Sequence, residues 1–313
     1  MADAELILMP LNYKGRDLLE GCLPSVLAAA GKSPLKTEVW VIDNASDDGS
    51  EELVRDGFPS VRFVKLEQNL CLQAYNCVLA EASCPYVLLL NNDIRPEGDF
   101  ITPLLRRLES SPEALGVSPA ITADQENERY PVRRGGRFFH GHLAPVPLAP
   151  GAGACLYLHG AAMLVRREKF LALGGFDPIF FYMEDNDLSY RAWMRGWSSL
   201  FEPSASAFHL AGVTTARVHG GSESKRALKE KASNLFVIKN ISDPLFLADF
   251  LFWSFLKILK MMVLFDRYRL RAFRETLKLL PLALKGRPKG RLQSDRQILR
   301  ALMKHELPPL PTD

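Results

Sequence analysis

Apolar runs recur through the first hundred positions, each followed by a short polar turn and then by a segment with helical spacing. The runs fall at 5–11, 38–42, 61–65 and 86–90, and the helical segments at about 16–30, 50–57, 72–82 and 98–110. Strands and helices alternating in this way predict an α/β fold, a mostly parallel open sheet flanked by helices and joined by right-handed crossovers. Turn chemistry agrees. Ser46-Asp47-Asp48-Gly49-Ser50 supplies turn and N-cap residues, and Pro96 is placed to open the fourth helix.

From 122 to 153 the pattern dissolves into Asp, Arg, Gly and Pro, and a long surface loop is expected. Order returns as a strand over 159–165, a short helix over 167–173, a turn at Gly174-Gly175-Phe176-Asp177 and a helix from Glu184 to about Gly196. An edge strand at 205–208 and a helix at 224–240 follow.

Residues 244–265 are the most apolar stretch, yet Asp249, Lys257 and Lys260 interrupt it. A central Asp or Lys costs a spanning helix about 2.5–3.5 kcal/mol, so spanning is disfavoured. Phe246, Phe250, Phe252, Trp253, Phe255 and Phe265, followed by Arg267, Arg269, Arg271 and Arg274, predict C-terminal amphipathic helices lying on an anionic membrane surface. Packing on the main domain or against a second copy is the alternative, which leaves room for a homo-oligomer. The expected organisation is a folded domain over 1–240 and a basic helical tail over 241–313.

Charge sharpens this division. Residues 257–304 hold fourteen Lys or Arg against Asp266, Glu275 and Asp295, a net of +11, which leaves −8 elsewhere in a chain whose formal charge is +3. Leu and Phe dominate the basic region and no RNA-binding pattern appears, so no nucleic-acid partner is expected. With 313 residues, 47% of them hydrophobic, a sizeable core is assured. The five cysteines, Cys22, Cys71, Cys77, Cys84 and Cys155, fit neither a metal knuckle nor a redox pair and are expected as reduced core residues. The first strand begins within five residues, without the regions of a signal peptide. The expected location is therefore cytoplasmic, peripheral on the inner face of the cell membrane.

Candidate chemistry sits where the apolar runs end. Asn12-Tyr13, Asp43-Asn44-Ala45-Ser46 and Asn91-Asn92-Asp93 each follow one, and the carboxyl ends of parallel strands form the ligand crevice of an open α/β sheet. Asp93 could hold a hard divalent cation together with substrate phosphates, or could cap the next helix. Glu184-Asp185-Asn186-Asp187 crowds three carboxylates at a helix start. An i,i+4 pair with Arg191 accounts for Asp187. Glu184 and Asp185 point elsewhere, after the aromatic run Phe180-Phe181-Tyr182, where a raised proton affinity suits a general base. His209 is either structural or an additional ligand for a metal held by Asp93. His140, His142 and His219 are assigned no role. Gly151-Ala152-Gly153 lacks the third glycine and helix of a dinucleotide fingerprint, no P-loop is present, and no nucleophile elbow surrounds a Ser or Cys. NAD, ATP-type P-loop and Ser or Cys hydrolase chemistry are thereby excluded.

The ordered set Asn12-Tyr13, 43–50, Asn69-Leu70, Leu90-Asn91-Asn92-Asp93, Gly174-Gly175-Phe176-Asp177, 184–188 and His209 resembles family 2 glycosyltransferases with the GT-A fold. It is most similar to their bacterial rhamnosyltransferase-like branch, over about residues 5–240. The resemblance implies that Asn12, Asp43, Asn69, Asn91 and Asn92 bind the nucleotide-sugar, with Asp43 accepting from the N3–H of a uracil or thymine. It implies that Asn91-Asn92-Asp93 stands for the DxD motif, that Asp93 and His209 ligate Mg²⁺ or Mn²⁺, and that Asp185, paired with Glu184, is the catalytic base. The implied activity is inverting transfer from a UDP- or dTDP-sugar, a rhamnose-type donor among them, to a hydroxyl of a lipid-linked or cell-surface glycan. One departure stands out. The family usually shows a glycine-rich stretch after Asn-Leu, but this chain has Cys71-Leu72-Gln73-Ala74-Tyr75, which removes room beside the donor. Two rivals are a nucleotide-sugar nucleotidyltransferase, which wants a basic Gly-rich N-terminal loop, and a membrane-docked scaffold with a degenerate transferase domain.

Overall fold

A computed structural model describes residues 4–123, 129–130, 133–210, 222–264 and 266–304. In chain order, β1 (Leu6–Asn12), α1 (Arg16–Gly31), β2 (Thr37–Asp43), α2 (Ser50–Gly57), β3 (Arg62–Lys65), α3 (Ala74–Glu81) and β4 (Tyr86–Asn91) form the expected alternating half. There follow β5 (Ile94–Glu97), α4 (Ile101–Glu109), β6 (Gly116–Ala123), β7 (Arg129–Tyr130), β8 (Arg134–Phe139), β9 (His142–Pro147), β10 (Gly153–Cys155) and β11 (Ala162–Arg166). The remainder is α5 (Arg167–Ala172), α6 (Glu184–Met194), β12 (Ser199–His209), α7 (Ser222–Asn240), α8 (Pro244–Leu264), α9 (Arg267–Lys285) and α10 (Asp295–Lys304).

The sheet runs β10-β12-β6-β11-β4-β1-β2-β3. β3, β2, β1 and β4 are parallel, as are β6 and β12, while β11 inserts antiparallel between β4 and β6. Alternate residues of β1 feed opposite faces. Leu6 and Leu8 join the core under α1 and α4, and Ile7 and Met9 join the core under α3 and α5. Burial on both faces explains the unbroken apolar run and makes β1 a rigid base for whatever follows Asn12. A third core joins Tyr190, Trp193 and Met194 of α6 to Leu235 and Phe236 of α7, Phe250 of α8 and Ile298 of α10. Buried Asp295 fastens that layer, accepting from Tyr190 Oη at 2.5 Å and from the Asp243 amide at 2.8 Å.

Several expectations change. The fourth helix does not start at 98 with Pro96 in its first turn; residues 94–97 alternate buried and exposed as β5, an outer strand where a missing N–H is tolerated, and α4 begins at Ile101. The supposed loop over 122–153 contains a hairpin, β8–β9, whose turn residues His140 and Gly141 both have positive φ, 50° and 76°, as a two-residue hairpin turn requires. The strand expected at 159–165 is β11, shifted to Ala162–Arg166 because 159–161 form a connection. The short edge strand at 205–208 belongs to an eleven-residue interior strand, β12, which crosses Pro203 by a register shift between Glu202 and Ser206. A turn of 3₁₀ helix, Cys71–Gln73, precedes α3. The cysteines are free, but Cys77 is exposed and Cys71 half-buried rather than core.

His140 and His142, given no role by sequence, clamp the hairpin to the C-terminal helices. His140 packs on the Trp253 ring, the Gly141 amide donates to Asp249 Oδ2 at 2.7 Å, and His142 meets Ser233 Oγ at 2.6 Å and the Lys257 ammonium. The charges that interrupt the apolar stretch, Asp249 and Lys257, thus turn toward the hairpin. His219 lies outside the described residues. No helix among the described residues is long and apolar enough to cross a membrane.

Candidate functional site

The carboxyl ends of β1, β2 and β4 lie side by side, with Asn12 opposite Asp43 and Leu11 opposite Asn91. Asn12 is fully buried and organises this edge. Its Nδ2 donates to Asp43 Oδ1 at 2.7 Å and to Ser50 Oγ at 3.0 Å, while its Oδ1 accepts from Asn92 Nδ2 at 2.7 Å. Asp43 Oδ2 accepts from the Ser46 amide at 2.8 Å, so the buried carboxylate is held at both oxygens. Gly15 permits the clasp, because a Cβ there would stand 2.2 Å from Asn92 Nδ2. Asn91 is half-buried, and its amide donates to Ala161 O at 2.9 Å. Asn69 is exposed and its Oδ1 accepts from the Cys71 amide at 2.9 Å, which makes it the support of a turn.

Left-handed backbone gathers around this edge. Lys14 (φ 48°), Ala45 (59°), Cys71 (51°), Tyr182 (70°) and Met183 (67°) follow β1 and β2, open the 3₁₀ turn and precede α6. Cys71 therefore keeps the conformation that favours glycine at a position where the family resemblance leads one to expect glycine. L-residues in that region carry strain, and strain clusters at functional rims.

Asp93 and His209 meet at one end of the edge. Antiparallel pairing sets His209 opposite Ile94, and its Nε2 lies 3.1 Å from Asp93 Oδ1. The approach is close but misdirected for a hydrogen bond, and Asp93 Oδ1 has no hydrogen-bond partner although Asp93 is buried. A buried acceptor left so costs about 1–3 kcal/mol. A carboxylate oxygen and an imidazole nitrogen facing one another fit Mg²⁺ or Mn²⁺, provided phosphate oxygens complete the shell. Among the described residues no group of three or more His, Cys, Asp or Glu could complete it instead.

Asp185 lies in the first turn of α6. Its Oδ2 accepts from the Gly160 amide at 2.9 Å and its Oδ1 from the Asn186 amide at 2.8 Å. Burial pushes its proton affinity up and these amides hold the rise in check. Neighbouring Glu184, 8% exposed, is pushed up to about 7, chiefly by burial. Asp187 is fully buried; burial pushes it up, but Arg191 and Lys239 hold it below the usual carboxylate range. Arg191 Nε lies 2.7 Å from Asp187, as the i,i+4 spacing predicts, and Lys239 bridges Asp187 and Asp177 at 2.8 and 2.6 Å.

Residues that sequence reasoning missed join the two halves. The short segment His159-Gly160-Ala161 accepts from the Asn91 amide at one end and donates to Asp185 from its middle. His159 is held neutral, with its pKa lowered to about 4 by burial and by nearby His209, and its Nδ1 accepts from the Ala161 amide at 3.2 Å. A Cβ at Gly160 would stand 3.0 Å from Asp185 Oδ2, so a larger residue would press on this carboxylate. Asp185 opens into a cavity of about 460 Å³, with His159, Tyr157 and Tyr182 among its walls.

The glycosyl transferase family 2 profile matches residues 7–174. An N-acetylglucosaminyl-diphospho-decaprenol L-rhamnosyltransferase from Mycobacterium tuberculosis is 30% identical over 245 residues, 68% of this chain and 78% of its own. The crystal structure of GalNAc-T7 with UDP, GalNAc and Mn²⁺ is similar with a TM-score of 0.59 at 17% identity, over 78% of this chain and 49% of that one, so this chain spans about half its length. A mannosyltransferase from Pyrobaculum calidifontis in complex with GDP-Man and Mn²⁺ is similar with a TM-score of 0.55 at 15% identity, over 90% of this chain and 76% of that one.

Proposed function

This chain belongs to glycosyl transferase family 2 and has the GT-A fold, and from that premise we propose an inverting transfer of one sugar from a UDP- or dTDP-sugar to a hydroxyl of a lipid-linked glycan. A rhamnose-type donor is favoured by the activity of the mycobacterial relative, as is a lipid-linked acceptor. The observation that carries the reading is the span 159–161, which ties the strand end beside Asp93 to the carboxylate of Asp185.

In this reading the clasp of Asn12, Asp43 and Asn92 shapes the nucleotide end of the crevice. Asp93 and His209 would hold Mg²⁺ or Mn²⁺, which when bound offsets charge on the departing diphosphate. Asp185 accepts the proton of the acceptor hydroxyl as that oxygen bonds to the anomeric carbon and the bond to the diphosphate breaks on the opposite face. Its raised proton affinity, with two amides keeping the ionised form accessible, suits that exchange. Glu184 packs behind it toward Cys71, whose thiol it pushes up after burial. The basic helices α8 and α9 would place the acceptor's leaflet, the cytoplasmic one, beside the crevice.

Asp185→Asn is expected to lower transfer about 10²- to 10⁴-fold. Thermal stabilisation by UDP or dTDP with Mn²⁺ should be retained. Near wild-type transfer by that variant would refute the base assignment.

A further inference from the structure

Helices α7, α8 and α9 enclose a groove of about 410 Å³. Its lining runs from Phe250 to Met261 on α8 and from Arg269 to Leu280 on α9, at three- and four-residue spacing, so the groove follows both helix axes for about 16 Å. Phe250 also belongs to the third core, but Phe255, Ile258, Phe273 and Leu277 are packed into none of the cores among the described residues. These side chains line a long space without filling it, and its volume is within the range of small-molecule sites, about 300–1,000 Å³.

Two ordinary explanations fail. A simple packing gap would close as α8 settled onto α9, but the β8–β9 hairpin holds α8 where it is, through Asp249 on the Gly141 amide, Trp253 on His140 and Lys257 on His142. A solvated cleft would be polar, whereas this lining is chiefly apolar and is better covered by hydrocarbon than by water. Of its charged groups, Glu230 and Lys257 pair with one another at 3.0 Å. Arg269, beside the connection from α8 to α9, is less completely matched: its Nη1 lies 3.6 Å from Asp266 Oδ2, and its Nε is buried without a hydrogen-bond partner.

We infer that this groove takes one acyl chain of an anionic membrane phospholipid, with the chain laid along Phe255, Ile258, Phe273 and Leu277 and the charged head at Arg269. Shape favours a chain, because the space is long and its walls are two helix faces. Charge favours an anionic head, because α9 opens with Arg267, Arg269, Arg271 and Arg274 against Asp266 alone, and the first, third and fourth of these arginines are exposed. Continuity favours a bilayer as the source: Leu251, Phe255 and Leu277 line the groove and are also exposed, and from Phe255 the exposed apolar surface of α8 continues to Phe252, Leu259 and Val263. The groove shares no lining residue with the cavity beside Asp185, so this lipid is not the sugar acceptor and the inference stands apart from the transferase reading.

The test is calorimetric binding to the full chain, with every amphiphile below its micellar concentration. The probes are lauroyl-lysophosphatidylglycerol, its decanoyl homologue, lauroyl-lysophosphatidylcholine and laurate. Wild-type protein should bind one equivalent of the first, about fifteenfold more tightly than the homologue two methylenes shorter and about fivefold more tightly than the zwitterionic lipid. Ser254→Trp, which fills the groove, should abolish binding. Arg269→Gln should lose the preference for the anionic head and keep the dependence on chain length, and both variants should unfold in urea at the wild-type midpoint. No saturable binding, no dependence on chain length, equal affinity for the two heads, or binding that Ser254→Trp leaves intact overturns the inference. Laurate bound as tightly as the anionic phospholipid would give the groove to free fatty acids, and a lipid-insensitive dimer broken by Ser254→Trp would give it to a second copy of the chain; either overturns the inference. Should a variant fail to fold, the wild-type comparisons of chain length and head group decide.

Discussion

Glu184 and Asp185 are consecutive carboxylates in one helical turn, yet their surroundings separate them. Asp185 is met by two amides, whereas Glu184 is buried with its pKa at about 7. Below its ordinary value of 4.5 the Glu184 carboxyl is protonated in both folded and unfolded chains. Between 4.5 and about 7 the unfolded chain releases that proton and the folded one keeps it, so stability falls as pH rises through this window and then levels off. At about 1.4 kcal/mol per unit, the burial penalty at pH 8 reaches about 3 kcal/mol. Urea titration of Glu184→Gln should therefore show a gain of up to that size at pH 8 and none at pH 4. Parallel behaviour of the two proteins across the range would contradict a buried charge at this position. Single residues also show what a sequence conceals. Asn12, Asp43, Asn92 and Asp93 were legible as candidates because each is a polar side chain that follows an apolar run, and Asp185 because it lies among crowded acids. His159 and Gly160 act largely through backbone groups and close approach, which leave no signature in residue type. Asn69 supports the Cys71 turn through its Oδ1, a local task that its residue type alone did not announce.

Helix α6 owes its place to its third acid. Asp187 accepts from Arg191, Lys239 and Asn240, and Arg191 also donates to Leu173 O and Gly175 O, so one buried carboxylate fixes α6 against α7 and against the turn at 174–177. Asp187→Asn would leave buried Arg191 without its carboxylate and Lys239 with Asp177 alone, and a loss of about 3–5 kcal/mol in denaturant unfolding is expected, against a smaller change in Asp185→Asn as the control. Elements differed in legibility for the same kind of reason. β1, β2 and β4 are buried on both faces and read as apolar runs that no helix of that length would show, while the edge strand β3 is only half-buried. β8–β9 has one face open, and Gly135, Gly136 and Pro145 interrupt its alternation; the pair His140-Gly141 was the available signal for its turn. β12 was read short because Glu202 looks like a turn residue beside Pro203. In the fold it is a buried partner of Arg107, 2.8 Å away, which no local pattern announces.

Across the whole molecule, apolar exposure and positive charge share the C-terminal layer. Leu251, Phe252, Phe255 and Val263 of α8 are exposed by 56–75%, while Asp249 and Lys257 are turned inward to the hairpin. With about 1 kcal/mol from each basic residue near an anionic surface, the protein is expected to co-sediment with anionic phospholipid vesicles at low salt and to be released at high salt. Phe252→Ser with Phe255→Ser should weaken that binding without lowering stabilisation by nucleotide. Co-sedimentation unchanged by both salt and the double variant would remove the membrane from the account. The left-handed residues describe a different property of the same molecule. Of the six non-glycine positions with positive φ among the described residues, Lys14, Ala45, Cys71, Tyr182 and Met183 ring the crevice, and the hairpin-tip His140 stands apart. Glycine at any of the five would relax the local backbone and loosen the rim at once. Lineages adapting to heat and lineages adapting to speed would therefore be drawn apart first at these five positions, long before their cores differed.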